Sequence, residues 1–210
     1  MQDDAPRSPG RPKDEAKRQA ILDAARELFF QRGVEGVAIE QIALAAGVSK
    51  MTIYNNFGDK EALFEAVVSQ MADKMEAGLA DLEFGDMPLR EALQHFGETL
   101  LQHLFSEELI QFDPLLAMEA GRHASMAKRF FKAGPGRMRE ALARGLSARI
   151  KRGELAHDDP MVAAEDLISL WQGMWPIERR FLHMRAPTRD EISARVAHAI
   201  AFFLKVYSVK

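Results

Sequence analysis

The chain has 210 residues, enough for one sizeable core or two small ones, and its 47% apolar and 28% charged content marks a soluble, folded class rather than a disordered or fibrous one. No run of about 18 apolar residues offers a transmembrane helix, the polar first dozen residues do not read as a secretory signal, and the absence of cysteine excludes disulfides and fits a cytoplasmic chain. A net charge of −3 announces no nucleic-acid partner, but Arg7, Arg11, Lys13, Lys17 and Arg18 face only Asp14 and Glu15, so the N-terminus is locally basic. That excess reads either as a solvated tail or as an arm touching phosphates or a minor groove.

Apolar residues recur with helical spacing nearly everywhere, and no segment alternates as a strand would. Asp14 opens a helix carrying Ile21, Leu22, Ala25, Leu28 and Phe29 on one stripe, and Gly33 ends it. A short helix follows from about Ile39 to Ala46, and another begins after Ser49. Asp59 caps a long helix with Leu63, Val67, Met71 and Met75 in line, which "EFGDMP" breaks. Pro88 begins a helix with Leu93, Phe96, Leu100 and Leu104. Asp113–Pro114 and Asp159–Pro160 each read as a cap followed by proline at the first helical position. Gly134–Pro135–Gly136 interrupts one helix and Gly153 ends it, while Thr188 and Glu191 form a capping box after Pro187. The class is all-α, with a boundary inside the long helix near residues 75–85.

The stretch "AAGVSKMTIYNNF" holds the pattern with most chemistry. Gly47 closes one short helix and Ser49 caps the next, so the two cross steeply, as in a helix-turn-helix. Ile53 and Phe57 lie four apart and face inward, while Met51 and Asn55 lie opposite, flanked by Thr52 and Tyr54, with Lys50 on the first turn. Hydroxyl, amide and ammonium groups suit phosphates and base edges. On spacing alone, the same residues describe an ordinary amphipathic surface helix.

The stretches "ILDAARELFFQRGVEGV", "IEQIALAAGVSKMTIYNNF" and "DKEALFEAV" resemble, in order and spacing, the DNA-binding domain of the TetR/AcrR family of bacterial transcriptional regulators. The resemblance implies a flexible basic arm over residues 1–12, a three-helix DNA-binding domain over 13–75 with its helix-turn-helix at about 38–57, and a helical effector-binding and dimerisation domain over 76–210. It implies DNA contacts by Ser49, Lys50, Met51, Thr52, Tyr54, Asn55, Asn56 and Lys60, with Arg11 and Lys13 added from the arm, whose Gly10–Arg11–Pro12 resembles the core of minor-groove hooks. The family's usual Thr or Ser before the second helix is replaced here by Ala38, and Met51 stands where Gly is common.

Beyond residue 85 the resemblance implies that the last two helices, about Pro160–Met184 and Arg189–Tyr207, pair with their twins in a homodimer. Ala163, Leu167, Ile192, Val196, Ile200 and Phe203 are the expected interface, since the last helix is apolar over more than one stripe. A pocket for a small, largely apolar effector is also implied. Phe105, Met118, Phe130, Trp171, Met174 and Trp175 are its candidates, around a helix expected to kink at Pro176, although such a set also describes plain core. His95 and His103 share a helical face, but no paired Glu-x-x-His motif stands on helices, so no metal is expected; no nucleophile elbow or phosphate loop is present and no cofactor is expected. The expected partner is double-stranded operator DNA and no membrane. The rival reading is a helical enzyme or small-molecule carrier with a helix-turn-helix-like end.

Overall fold

The computed structural model of the chain describes residues 11–77, 85–156, 159–182 and 185–209. The polypeptide divides into two compact units, Met1–Val67 and Val68–Lys210. Among the described residues all regular structure is helical, apart from one antiparallel bridge between Leu155 and Ser208.

The first unit is built by α1 (Arg11–Arg32), α2 (Ile39–Ala46), α3 (Lys50–Phe57) and the opening turns of α4 (Lys60–Ala77). Of the expected arm, residues 1–10 lie outside the described residues. Arg11 and Pro12 already belong to α1, so that helix starts ahead of Asp14: a proline in the first turn gives up no intrahelical bond. Ile21, Ala25 and Phe29 of α1 close over Ile42 of α2, Ile53 of α3 and Leu63, Phe64 and Val67 of α4, all buried. Phe29 and Phe64 meet edge to face at 5.8 Å and 88°, the arrangement that ring quadrupoles prefer. Gly33, at φ 74°, ends α1 and donates its N–H to the Phe29 carbonyl at 2.8 Å.

The second unit holds α5 (Leu89–Leu104), α6 (Glu107–Arg122), α7 (Ala124–Phe131), a π-turn over Lys132–Gly136, α8 (Arg137–Lys151), α9 (Pro160–Gln172), α10 (Trp175–Leu182) and α11 (Arg189–Tyr207). Its core is drawn chiefly from α5, α8, α9 and α11. Gly97 on α5 sets the closest approach: a Cβ there would lie 2.8 Å from Val196 Cγ1 and 2.9 Å from Trp171 Cε2. The chain ends of this unit are tied by polar contacts. Arg149, 2% exposed, donates both to Glu154 at 3.1 Å and to the Met87 carbonyl at 2.9 Å, and the Tyr207 hydroxyl donates to Asp166 at 2.8 Å.

Four expectations are corrected. Asp113–Pro114 does not open a helix, because Ser106 caps α6 seven residues earlier and Pro114 sits inside it. Asp113 is free to accept from Arg180 at 2.8 Å instead. Gly134–Pro135–Gly136 does not break the helix but widens it into a π-turn, which accommodates the amide that proline lacks. The single helix expected over residues 160–184 is two helices. Gly173, at φ 52°, ends α9, and Pro176 falls in the first turn of α10, where it costs no bond and produces no kink. Lastly, Ala163, Leu167, Ile192, Val196, Ile200 and Phe203 are all buried within the single chain. The inner half of α11 is consumed by its own core, and the apolar residues left outside are Phe202 (55% exposed) and Val206 (56% exposed), with Val162 on α9.

Gly97→Ala tests how tightly this core is set. Helix propensity alone favours alanine by ~1 kcal/mol, but overpacking between two enclosed side chains costs ~1–3 kcal/mol. The expected net result is a lower urea midpoint for Gly97→Ala. Gly121→Ala on α6, where an added Cβ meets nothing within 4 Å, is expected to raise it.

Candidate nucleic-acid interface

Helix α2 ends in a doubly bonded turn. The Val48 N–H donates to Ala43 O at 3.0 Å and the Gly47 N–H to Leu44 O at 3.3 Å, with Gly47 left-handed at φ 64°. A side chain at that φ is strained, so glycine fixes the crossing of α2 and α3 cheaply. Ser49 then caps α3: its Oγ accepts from the Thr52 N–H at 3.2 Å and shares a hydrogen bond with Thr52 Oγ1 at 2.9 Å. The start of α2 is capped differently. Ala38 has no side-chain oxygen, and Gln41 reaches back to accept from the Ala38 N–H at 3.0 Å.

Helix α3 is eight residues long and is anchored by one buried side chain, Ile53. Phe57, half-buried one turn on, carries the Arg18 guanidinium 4.5 Å above its ring, which ties α3 to α1. Gly58, at φ 86°, ends the helix and donates to Tyr54 O at 2.8 Å. The opposite side is open to solvent and presents Lys50, Met51 (58% exposed), Tyr54, Asn55 and Asn56, with Thr52 half-buried beside them. Asn56 is steadied by donating to Thr52 O at 2.7 Å.

The expected contact residues differ in their freedom. Lys60 is half-buried, donating to Val37 O at 3.4 Å and standing 3.8 Å from Glu35. Lys50 lies 3.4 Å from the Glu40 carboxylate of α2. The first-turn amide of α2 and then the Lys50 ammonium hold the Glu40 carboxyl below the usual carboxylate range. The side chains of Arg11 and Lys13 lie outside those described. Glu40 and Leu44, the latter 85% exposed, escaped sequence reasoning. Their signal was phase: both lie on α2 away from Ile39, Ile42 and Ala43, which are buried.

The second unit contains a cavity of about 160 Å³ lined by Phe105, Trp175, Glu178, Arg179, Arg185, Pro187 and Glu191. The Phe105 and Trp175 rings meet edge to face at 5.5 Å. Arg185 donates to both Glu191 oxygens at 2.8 and 2.7 Å, and Glu191 also accepts from the N–H of the N-cap Thr188 at 2.7 Å, closing the capping box of α11. These bonds, the Arg185 pair foremost, hold the Glu191 carboxyl down to about 2. Of the six residues expected at a pocket, Phe105 and Trp175 line this cavity. Trp171 is buried against Phe96, Phe130 is half-buried elsewhere, and Met118 and Met174 are exposed, Met174 because the chain turns at Gly173. The charged lining was not legible, since solvent-facing Arg and Glu on a helix look the same in sequence.

Residues 21–67 match the family described as bacterial regulatory proteins, tetR family, and residues 91–209 match the AefR-like transcriptional repressor C-terminal domain. The HTH-type transcriptional regulator RutR of Escherichia coli K12 is 37% identical over 112 residues, which cover 50% of this chain and 53% of RutR. The match thus spans about half the length of that relative. A TetR-family regulator from Mesorhizobium loti has a closely similar solved structure, with a TM-score of 0.81 at 28% identity over 95% of this chain and 100% of that one. The flavonoid-responsive regulator FrrA superposes with a TM-score of 0.72 at 30% identity over 93% and 99% of the two chains.

Ser49→Ala removes the cap of a helix with little else to hold it. A loss of about 0.5–2 kcal/mol in stability is expected, read from thermal unfolding followed by circular dichroism.

Proposed function

The chain belongs to the TetR family of bacterial regulatory proteins, transcriptional regulators rather than enzymes, and on that footing we propose that it is a repressor that binds palindromic operator DNA as a homodimer and is released by a small planar effector. One observation carries the reading. Helix α3 is held by Ile53 and Phe57 and leaves Lys50, Met51, Tyr54, Asn55 and Asn56 bare. A polar helix face that its own protein uses, among the described residues, only for the Lys50–Glu40 pair and the Asn56 bond to Thr52, on a rigid support, suits a major groove. Ser49 and Thr52 at its start meet phosphate, and the exposed Met51 meets a thymine methyl. Lys60 reaches a phosphate by exchanging its Val37 carbonyl for a charged oxygen. Arg11 and Lys13 supply further phosphate contacts. DNA of this kind places the protein in the cytoplasm, in keeping with the described residues, none of whose helices is long and apolar enough to cross a membrane.

The homodimer is formed through Phe202 and Val206 of α11 with Val162 of α9, the apolar residues these helices leave outside, in place of the six buried ones. Two joined heads make the second half-site contact intramolecular, which raises affinity without new contacts. The effector enters the cavity beside Phe105 and Trp175. FrrA, by its name, answers to flavonoids, and a planar aromatic molecule of that kind suits two rings set edge to face. Occupancy favours one of two separations of the heads, and DNA affinity falls by the difference in effector binding between those states.

Tyr54→Ala and Asn55→Ala are each expected to weaken binding to a selected operator by ~1–3 kcal/mol, measured by fluorescence anisotropy. Glu40→Gln frees Lys50 and is expected to steepen the salt dependence by about one unit. Wild-type behaviour from all three variants would place the reading face elsewhere. Phe202→Glu is expected to give a folded monomer in sedimentation at micromolar concentration. Phe203→Ala, by contrast, is expected to cost about 3–5 kcal/mol of stability.

A further inference from the structure

The cavity beside α10 carries a charge arrangement that narrows the chemistry of its occupant. Each aromatic wall has a guanidinium over it: Arg179 stands 5.9 Å from the Phe105 ring centre and Arg195 stands 4.7 Å from that of Trp175. Arg185 and Glu191 satisfy one another as a two-pronged pair, so neither dominates the field inside. Arg179 differs. Its Nε is shut off from solvent and has no hydrogen-bond partner among the described residues. That nitrogen is out of reach of an occupant, but the rest of the guanidinium lines the cavity and pairs with no carboxylate among the described residues, so it suits an acceptor that carries charge.

We propose that this cavity binds a planar aromatic anion, a hydroxylated aromatic carboxylate, with the ring beside Phe105 and Trp175, the carboxylate on Arg179 and the hydroxyl on Glu178. This rests on the ligand-responsive reading above and names the class of ligand. A cationic ligand meets Glu178 but leaves the Arg179 guanidinium of the lining without an anion. A neutral apolar one covers the cavity-lining part of the Arg179 guanidinium without supplying an acceptor. The carboxylate matches the planar fork of arginine, which binds such groups in two places at once. The hydroxyl gives the Glu178 carboxylate, also in the lining, a donor to accept from.

The experiment is calorimetric titration of the full-length protein with 4-hydroxybenzoate, its neutral isostere 4-hydroxybenzamide and 4-hydroxybenzylamine, in wild type, Arg179→Gln and Arg179→Lys. In wild type the benzoate is expected to bind about tenfold or more tightly than the amide, with the amine weakest. Arg179→Gln is expected to bring benzoate and amide to parity, and Arg179→Lys to keep part of the preference. A thermal melt of each variant separates lost binding from lost folding, and Arg179→Lys carries the test if Arg179→Gln does not fold. No binding of the benzoate at millimolar concentration overturns the proposal, as does equal binding of benzoate and amide to wild type. Operator release is scored separately. A benzoate preference that depends on Arg179 but leaves operator binding unchanged upholds the ligand class and overturns ligand release. Release by the amide alone, undiminished in Arg179→Gln, upholds ligand release and overturns the class.

Discussion

Helix α3 is too short to persist in water by itself, and the first unit is organised around holding it while leaving one side uncovered. Ile53 is the single fully buried residue of that helix, so its anchoring is concentrated rather than spread. The turn at Gly47 and the cap at Ser49 set the direction and the start of α3, and Arg18 over Phe57 fixes its far end from α1. Each of these contacts lies on the inner side or at an end. Among the described residues the polar side carries only the Lys50–Glu40 pair and the Asn56 bond to Thr52, and otherwise stands open to solvent.

The second unit solves a different problem. Here α11 is apolar over more than one stripe, and Gly97 lets α5 come close enough for the indole of Trp171 and the methyls of Val196 to fill the gap between the helices. Packing so close consumes the inner residues of α11 entirely and leaves Phe202 and Val206 as a separate outer row. Glu191 joins two features of this unit. It lines the cavity beside Trp175 and at the same time caps α11 through Thr188, with Arg185 holding both oxygens. An occupant that disturbs Arg185 thereby reaches the start of α11 through one side chain.

The sequence by itself determined the parts that rest on local chemistry. Gly47, Ser49, Asp59, Asp159–Pro160 and Thr188 with Glu191 each mark a helix end by a side-chain or backbone requirement spanning at most four residues, and each stands where that requirement placed it. The all-α class and the exposed face of α3 followed from the same short-range rules. Where two local rules competed, sequence was insufficient. Pro114 has the same signature at a helix start as inside a helix, and Ser106 decided between them from seven residues away. Only the tertiary structure decided which apolar residues face their own chain. Phe202 and Phe203 are adjacent and chemically identical, yet one is exposed and the other buried, because burial depends on what α5 and α9 bring against α11 from across the fold. The charged cavity is of the same kind: Phe105 and Arg179 are far apart in the chain, and their meeting belongs to packing rather than to spacing.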